Sequence, residues 1–225
     1  MVFELEIDLS YGAEEYIETI YRLQKRFGIA KTNSLAKALG VVPGSITNTI
    51  EHLESHNLVV HKPYQGVKLT KQGEKIALNL IRKHRLAERL LTDVLNAHWS
   101  TVHEDACKLE HAMTKNLVNL LDERLGHPKF CPHGNPIPTE NGLIEEQQGV
   151  VLTETDVGEN YLITNIIDGE KKDLEILAKK NMYPGVKILI KKIDPQEIFF
   201  QTHGITQSVN TQLASIVMVR KIEAT

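Results

Sequence analysis

Apolar residues recur along this chain with two different periods, and the change from one to the other divides it. In residues 14–27, Tyr16, Ile17, Ile20, Tyr21, Leu23 and Phe27 fall at helical spacing, and Gly28 ends the run. Thr32 or Asn33 can cap a short helix over 34–39, closed by Gly40. Pro43 opens a third helix whose apolar face carries Ile46, Ile50 and Leu53. Residues 58–60 and 67–69 are β-prone runs around the turn Lys62-Pro63-Tyr64-Gln65-Gly66, which predicts a hairpin. Residues 71–95 contain no proline and carry an apolar stripe through Ile76, Leu80, Ile81, Leu86, Leu90, Leu91 and Leu95, so one long helix is expected. Shorter helices are expected from Val102 onward and over 114–125, the latter stopped by Gly126. From Val150 the texture changes to short strands, 150–152, 161–167, 186–193, 197–201 and 216–222, around one helix at 173–182; this is the pattern of a small barrel. Phe3, Leu5, Ile7 and Leu9 alternate with acidic residues, as in a strand or extended arm over 1–10.

Helix, short helix, turn, helix and hairpin is the order of a winged helix-turn-helix, a DNA-reading unit. The outward face of its third helix offers Ser45, Thr47, Asn48 and Thr49, small groups that suit phosphates and base edges, with His52 beyond them. Lys62 and Lys68 on the wing are placed for backbone phosphate. The fold class expected is therefore mostly α and multidomain. A winged helix-turn-helix spans 1–72, a helical domain 73–140, a linker 141–150, and a small β-barrel 151–225. The apolar content of the middle helices exceeds what one antiparallel pair buries, which points to a two-fold subunit interface.

Composition changes this picture little. With 225 residues the chain has room for two or three domains, and a net charge of -3 excludes a strongly basic surface while leaving room for a local basic patch. Two cysteines make no disulfide framework, no stretch is long and apolar enough to span a membrane, and no secretory leader is evident, so a cytoplasmic protein with reduced thiols is expected.

The chemistry lies in the middle. In His103-Glu104-Asp105-Ala106-Cys107-Lys108-Leu109-Glu110-His111, the residues His103, Cys107, Glu110 and His111 share one helical stripe and are transition-metal ligands of mixed hardness. His84 and Glu88 stand four apart on the long helix, a spacing that also suits a shared ion. Residues 127–138 hold four of the eight prolines and mark a domain boundary. Cys131 and His133 within this connector are expected to serve its structure rather than to bind metal.

These residues resemble the metal-dependent repressors typified by the diphtheria toxin repressor. The resemblance lies in the long-helix run Arg82–Asp93, in Val102–His111 with Glu104 and Asp105 in swapped order, and in the connector from His127-Pro128 to Gly134-Asn135-Pro136-Ile137-Pro138. It implies a homodimeric repressor that binds a palindromic operator when loaded with Fe(II) or Mn(II), two ions per subunit, with Zn(II), Co(II) or Ni(II) able to substitute in vitro. No membrane partner and no small-molecule substrate beyond metal ions is implied. The family's primary site matches Cys107, Glu110 and His111, closed by Glu15 where the iron-sensing prototype has Met; Glu18 stands one turn on, where manganese-sensing relatives have a carboxylate. Its ancillary site matches His84, Glu88 and His103, with Glu170 and Asp173 from an SH3-like, FeoA-like domain. Cys107 is a soft donor suited to Fe(II), whereas Glu15 moves preference toward Mn(II). Two other readings use the same residues: a metal-independent winged-helix protein with a structural zinc, and a metal-dependent hydrolase, which four protein ligands would leave short of an open coordination position.

Overall fold

The structure, a computed structural model, describes residues 9–145, 147–167 and 169–223. The arm expected over 1–10 lies almost wholly outside the described residues. The chain divides into two compact units. One gathers the chain up to Arg82 with Pro138–Leu143, and the other Lys83–Ile137 with the chain from Ile144 onward. The division therefore falls inside the long helix rather than at its start.

In the first unit, α1 (Tyr11–Phe27) is capped by Ser10, whose side chain accepts from the Ala13 amide, and is stopped by Gly28 in the left-handed region at φ 77°. After it come α2 (Thr32–Leu39) and α3 (Pro43–Ser55), the latter with Pro in its first turn. Ile17, Ile20, Leu35, Ile46, Leu53 and Leu58 close the core between them. The hairpin of β1 (Val59–Lys62) and β2 (Gly66–Leu69) is antiparallel and pairs Val60 with Lys68 and Lys62 with Gly66. Two hydrogen bonds between Ala30 and Val67 root it to the α1–α2 loop. This is the winged helix-turn-helix that the hydrophobic pattern predicts. The next helix, α4 (Lys71–Arg89), starts so close to the hairpin that a Cβ on Gly73 would lie 2.0 Å from the Leu58 carbonyl oxygen. Arg82 ties the returning segment by donating to the Pro138 carbonyl at 2.8 Å.

In the second unit, α4 does not run on to Leu95. It ends at Arg89 and passes into a π-turn over Leu90–Val94, closed by the Leu95 amide on the Leu90 carbonyl. Then follow α5 (His103–Ala112) and α6 (Lys115–Arg124), capped by Thr114. Leu86, Ala87, Ala106, Met113, Val118 and Leu121 form their core, which Cys131 and Ile137 of the connector complete. Leu117 and Leu120 on α6, with Val94 and Leu95, stay exposed.

The β part of this unit consists of β3 (Val150–Val151), β4 (Asn160–Ile166), β5 (Lys187–Ile193), β6 (Glu197–Thr202), β7 (Ile205–Asn210) and β8 (Val217–Ile222). They pair antiparallel in the order β3-β8-β4-β5-β6-β7, with bulges between Ile163 and Asn165 and between Ile190 and Lys192. Bulges bend a strand, and here the sheet wraps a core of Ile163, Phe200 and Val217, joined by Leu177 of α7 (Lys171–Lys179). A four-residue helix α8 (Thr211–Ala214) precedes β8. Neither β7 nor α8 is among the elements expected from the sequence. Two residues of positive φ, His203 and Gly204, turn β6 into β7 as a tight hairpin.

Candidate metal centre and nucleic-acid interface

The ligand stripe forms because α5 brings His103, Cys107, Glu110 and His111 to one side of itself, while α4 offers His84 and Glu88 one turn apart. His84 joins the two sets. Its Nε2 lies 3.0 Å from Glu88 Oε1, and its Nδ1 lies 2.6 Å from Glu110 Oε2. Glu110 then reaches His111 Nε2 through its other oxygen at 3.2 Å. The Cys107 sulfur stands 3.9 Å from His84 Nδ1 and 3.8 Å from His103 Nε2. The thiol expected at the primary site thus also borders the ancillary histidines, and His84, His103 and Cys107 converge closely enough to share an ion.

The connector supplies what sequence reasoning set aside. Cys131 and His133, expected to be structural, are both buried, and His133 Nδ1 lies 2.9 Å from Glu88 Oε1. The Cys131 sulfur is 4.0 Å from the same ring nitrogen, so Glu88, Cys131 and His133 form a second convergent, fully buried group. The other nitrogen of His133 faces the Trp99 carbonyl at 2.9 Å, which places a proton on Nε2 and makes Nδ1, now against Glu88, the atom an ion would take. One oxygen of Glu88 therefore faces three imidazoles, those of His84, His133 and, at 3.6 Å, His103.

The loop is held on two sides. On the α4 side, Arg89 donates to the Phe130 carbonyl at 2.7 Å and Arg85 to the Pro136 carbonyl. On the sheet side, the Ile166 amide donates to the His133 carbonyl at 2.9 Å, Asn135 donates to the Ile166 carbonyl, and Asn165 donates to the Asn135 side chain. Gly134, at φ 80°, passes so near β4 that a Cβ would meet the Thr164 carbonyl oxygen at 2.2 Å. A Cys-x-His pair in a proline-rich segment gave no sign of these anchors; the signal that could have found them is its position just before the Gly-Asn pair.

The electrostatics fit a cation site. Burial opposes charge on each of these groups, yet their mutual attraction outweighs it. Burial lowers the pKa of His133, while its hydrogen bonds to Cys131 and Glu88 push it up to about 10. Likewise His103 is raised to about 9 by Cys107 and Glu88 against its own burial. His84 is raised well above the usual imidazole range, chiefly by the charge of Glu88 against the cost of burial. Glu88 is held well below the carboxylate range by its three histidines despite full burial. Burial raises the Cys107 thiol, but His103 and His84 bring it down to about 7. Protonated imidazoles around a buried carboxylate stand in for a cation, and a divalent ion would take their place on nitrogen, sulfur and oxygen donors of mixed hardness.

The remaining expected residues are placed as follows. Glu15 is half-buried on α1 in the first unit. Glu18 is buried on the same helix and ion-paired with Arg22 four residues on. Glu170, at the N-terminus of α7, is exposed and bound to Lys172 at 2.8 Å, and Asp173 is half-buried in the first turn. Neither Glu170 nor Asp173 belongs to the convergent groups found among the described residues. On α3, Ser45, Thr47 and Asn48 are exposed, Thr49 is half-buried, and the Ser45 hydroxyl is already turned back to the Val42 carbonyl. Lys62 is exposed and Lys68 half-buried on the wing.

Comparison with known proteins agrees with both halves of this arrangement. Residues 8–67 match the N-terminal DNA-binding domain of the iron-dependent repressors, and residues 70–139 match their metal-binding and dimerisation domain. The diphtheria toxin repressor of Corynebacterium glutamicum is 31% identical over 96% of this chain and 99% of its own length. The iron-dependent repressor IdeR of Mycobacterium tuberculosis is 36% identical over 79% of this chain and 83% of its own. Among solved structures, a manganese-dependent transcriptional repressor in complex with manganese superposes with a TM-score of 0.85 at 27% identity, covering 93% of this chain and all of that one. The IdeR of T. acidophilum superposes at 0.81 with 29% identity over 96% of this chain and all of that one. The chain belongs to the iron-dependent repressor family, a family of metal-dependent transcriptional regulators rather than enzymes.

Proposed function

We propose that this chain is a cytoplasmic repressor that binds a palindromic operator as a homodimer when it carries Fe(II) or Mn(II), two ions per subunit. The observation that carries the reading is the buried network His133–Glu88–His84–Glu110–His111, in which donors from α4, α5 and the connector meet, in a chain that also carries a winged helix-turn-helix. Cys107, Glu110 and His111 would hold one ion, with Glu15 closing it as the family resemblance implies. The second ion would take Glu88 with His84 and His103, and the placement of Cys131 and His133 argues for adding them to that set. Glu170 and Asp173 find less support, because Glu170 is exposed and engaged by Lys172.

A divalent ion supplies the positive charge that the protonated histidines carry without it. The protein's own part is to favour one arrangement of reading heads. Ser45, Thr47, Asn48 and Thr49 would meet the major groove, and Lys62 and Lys68 the phosphates. Exposed Leu117 and Leu120, with Val94 and Leu95, offer the apolar face a two-fold partner would cover. Thiols at Cys107 and Cys131 favour Fe(II), and Glu15 favours Mn(II). Allosteric coupling of ordinary size, about 1–3 kcal/mol, would change operator affinity about 5- to 150-fold. Anaerobic anisotropy on an operator-bearing duplex, titrated with Fe(II), Mn(II) and Zn(II) at fixed salt, tests this. Metal-dependent tightening is expected; equal affinity with and without chelator would rule the reading out, and Glu15→Met with Cys107→Asp tests the selectivity argument.

A further inference from the structure

At the tip of the wing, the structure combines two features that each cost stability and that nothing within the described chain repays. The turn runs from Lys62 to Gln65, closed by the Gln65 amide on the Lys62 carbonyl at 3.0 Å, with Pro63 in its second position. Its third position needs a positive φ, which in such turns favours Gly or Asn. Here it is Tyr64, at φ 62°. A bulky residue held there costs about 1–2 kcal/mol. Tyr64 is also fully exposed, at 107% of its reference area. Strain of this kind persists where the surrounding structure enforces it, and it gathers at functional positions.

The surroundings do enforce it. The hairpin is rooted by paired hydrogen bonds between Ala30 and Val67, and a Cβ on Gly66 would strike the Ala30 carbonyl oxygen at 2.4 Å. The Leu69 amide is held by the Gln24 side chain at 2.9 Å. The tip therefore cannot relax by sliding its register. The register also places Val60, Lys62 and Lys68 on one face of the hairpin, so the ring stands beyond a strip that is cationic and apolar together. Among the hydrogen bonds of the described hairpin residues, the one carboxylate is Glu54, which accepts from the His61 amide at 2.9 Å and is engaged there by the backbone. A rigid aromatic ring beyond two lysines complements a polyanion with apolar sugar walls.

We propose that Tyr64 is a DNA-contacting residue, whose ring packs on the deoxyribose walls of the groove flanking the half-site read by α3. This rests on the repressor reading above and assigns that reading one more contact, outside the helix that carries sequence recognition. The ring would extend the footprint along the duplex and tolerate many sequences there, because a sugar wall carries little base information.

The test uses the full, Mn(II)-loaded chain and a duplex selected by the wild type from a random pool, in a long form and in a form trimmed to the half-sites. Tyr64→Asn keeps a residue that accepts positive φ and removes the ring; Tyr64→Phe keeps the ring. On the long duplex, Tyr64→Asn is expected to weaken binding about five- to tenfold, in line with the loss of one aromatic contact to nucleic acid. Tyr64→Phe should bind nearly as wild type, and on the trimmed duplex all three should bind alike. The thermal midpoint of Tyr64→Asn should be unchanged or higher, and the salt dependence of binding unchanged, since no charge is lost. Equal affinity of Tyr64→Asn and wild type on the long duplex overturns the proposal. So does a lowered midpoint with loss on both duplexes, which is the mark of a structural role. A wild type that selects no duplex with Mn(II) bound overturns the repressor reading itself, and this contact with it.

Discussion

Gly134→Ala should disable the connector's ligands without touching a donor atom. At φ 80° an alanine bears a backbone penalty of about 1–2 kcal/mol. Its Cβ would lie 2.2 Å from the Thr164 carbonyl oxygen and 2.9 Å from the Asn165 Cα, both backbone atoms of β4, so the loop rather than the sheet must move. Restoring ordinary contact to the Thr164 oxygen requires a displacement of about 1 Å, well beyond the tolerance of roughly 0.2 Å on metal–ligand distances. The shift also breaks the hydrogen bonds from Ile166 to the His133 carbonyl and from Asn135 to the Ile166 carbonyl, each contributing about 1 kcal/mol. A total loss near 3–4 kcal/mol is expected for the second unit, together with a metal affinity at the Glu88, Cys131 and His133 group reduced about 10- to 100-fold or more. Urea unfolding measures the first, and Co(II) titration, followed by its thiolate charge-transfer band, measures the second. A variant that keeps both wild-type stability and the full Co(II) band would refute the reasoning that this loop is held by close packing on β4.

Cys131→Ser should remove one thiolate contribution from the Co(II) spectrum and leave the other; an unchanged spectrum would return Cys131 to a packing role. Metal binding should release protons near neutral pH, because His103 and His133 have folded-state pKa values raised to about 9 and about 10, and affinity should climb with pH through that range; calorimetry in buffers of different ionisation enthalpy measures the release. For the apo protein the sign is opposite: raised histidines stabilise the fold fully below their unfolded value near 6.5, and that contribution fades as pH rises toward about 10, so apo thermal midpoints should fall over this window. Lys62→Ala and Lys68→Ala should each lower the salt slope of operator binding by about one, whereas slopes equal to wild type would take the lysines off the phosphates.

The winged helix-turn-helix was legible in the sequence because its signals are local: Gly28 and Gly40 both end helices in the left-handed region, and Pro43 opens one. The stripe on α5 was legible for the same reason, since a four-residue repeat of ligands needs only helical geometry. What escaped depends on contacts distant in sequence. Cys131 and His133 become ligand candidates only when α4 and β4 grip the loop from both sides. The strand β7 escaped because its turn is His203-Gly204 rather than Asn-Gly and its sequence, Ile-Thr-Gln-Ser-Val-Asn, alternates weakly. The long helix was expected to reach Leu95, and no proline or glycine announces the π-turn that interrupts it at Leu90. Nor does helical spacing show that His84 lies between Glu88 and Glu110 and draws both sets of donors together.

The central claim is that metal and operator favour the same conformation, and linkage makes it testable from the metal side. Mn(II) or anaerobic Fe(II) affinity should be measured by competition with a chelating dye, with and without saturating operator duplex. Reciprocity requires the duplex to tighten metal binding by the same factor that metal tightens duplex binding, about 5- to 150-fold. Identical metal affinity in the presence and absence of operator would contradict the account.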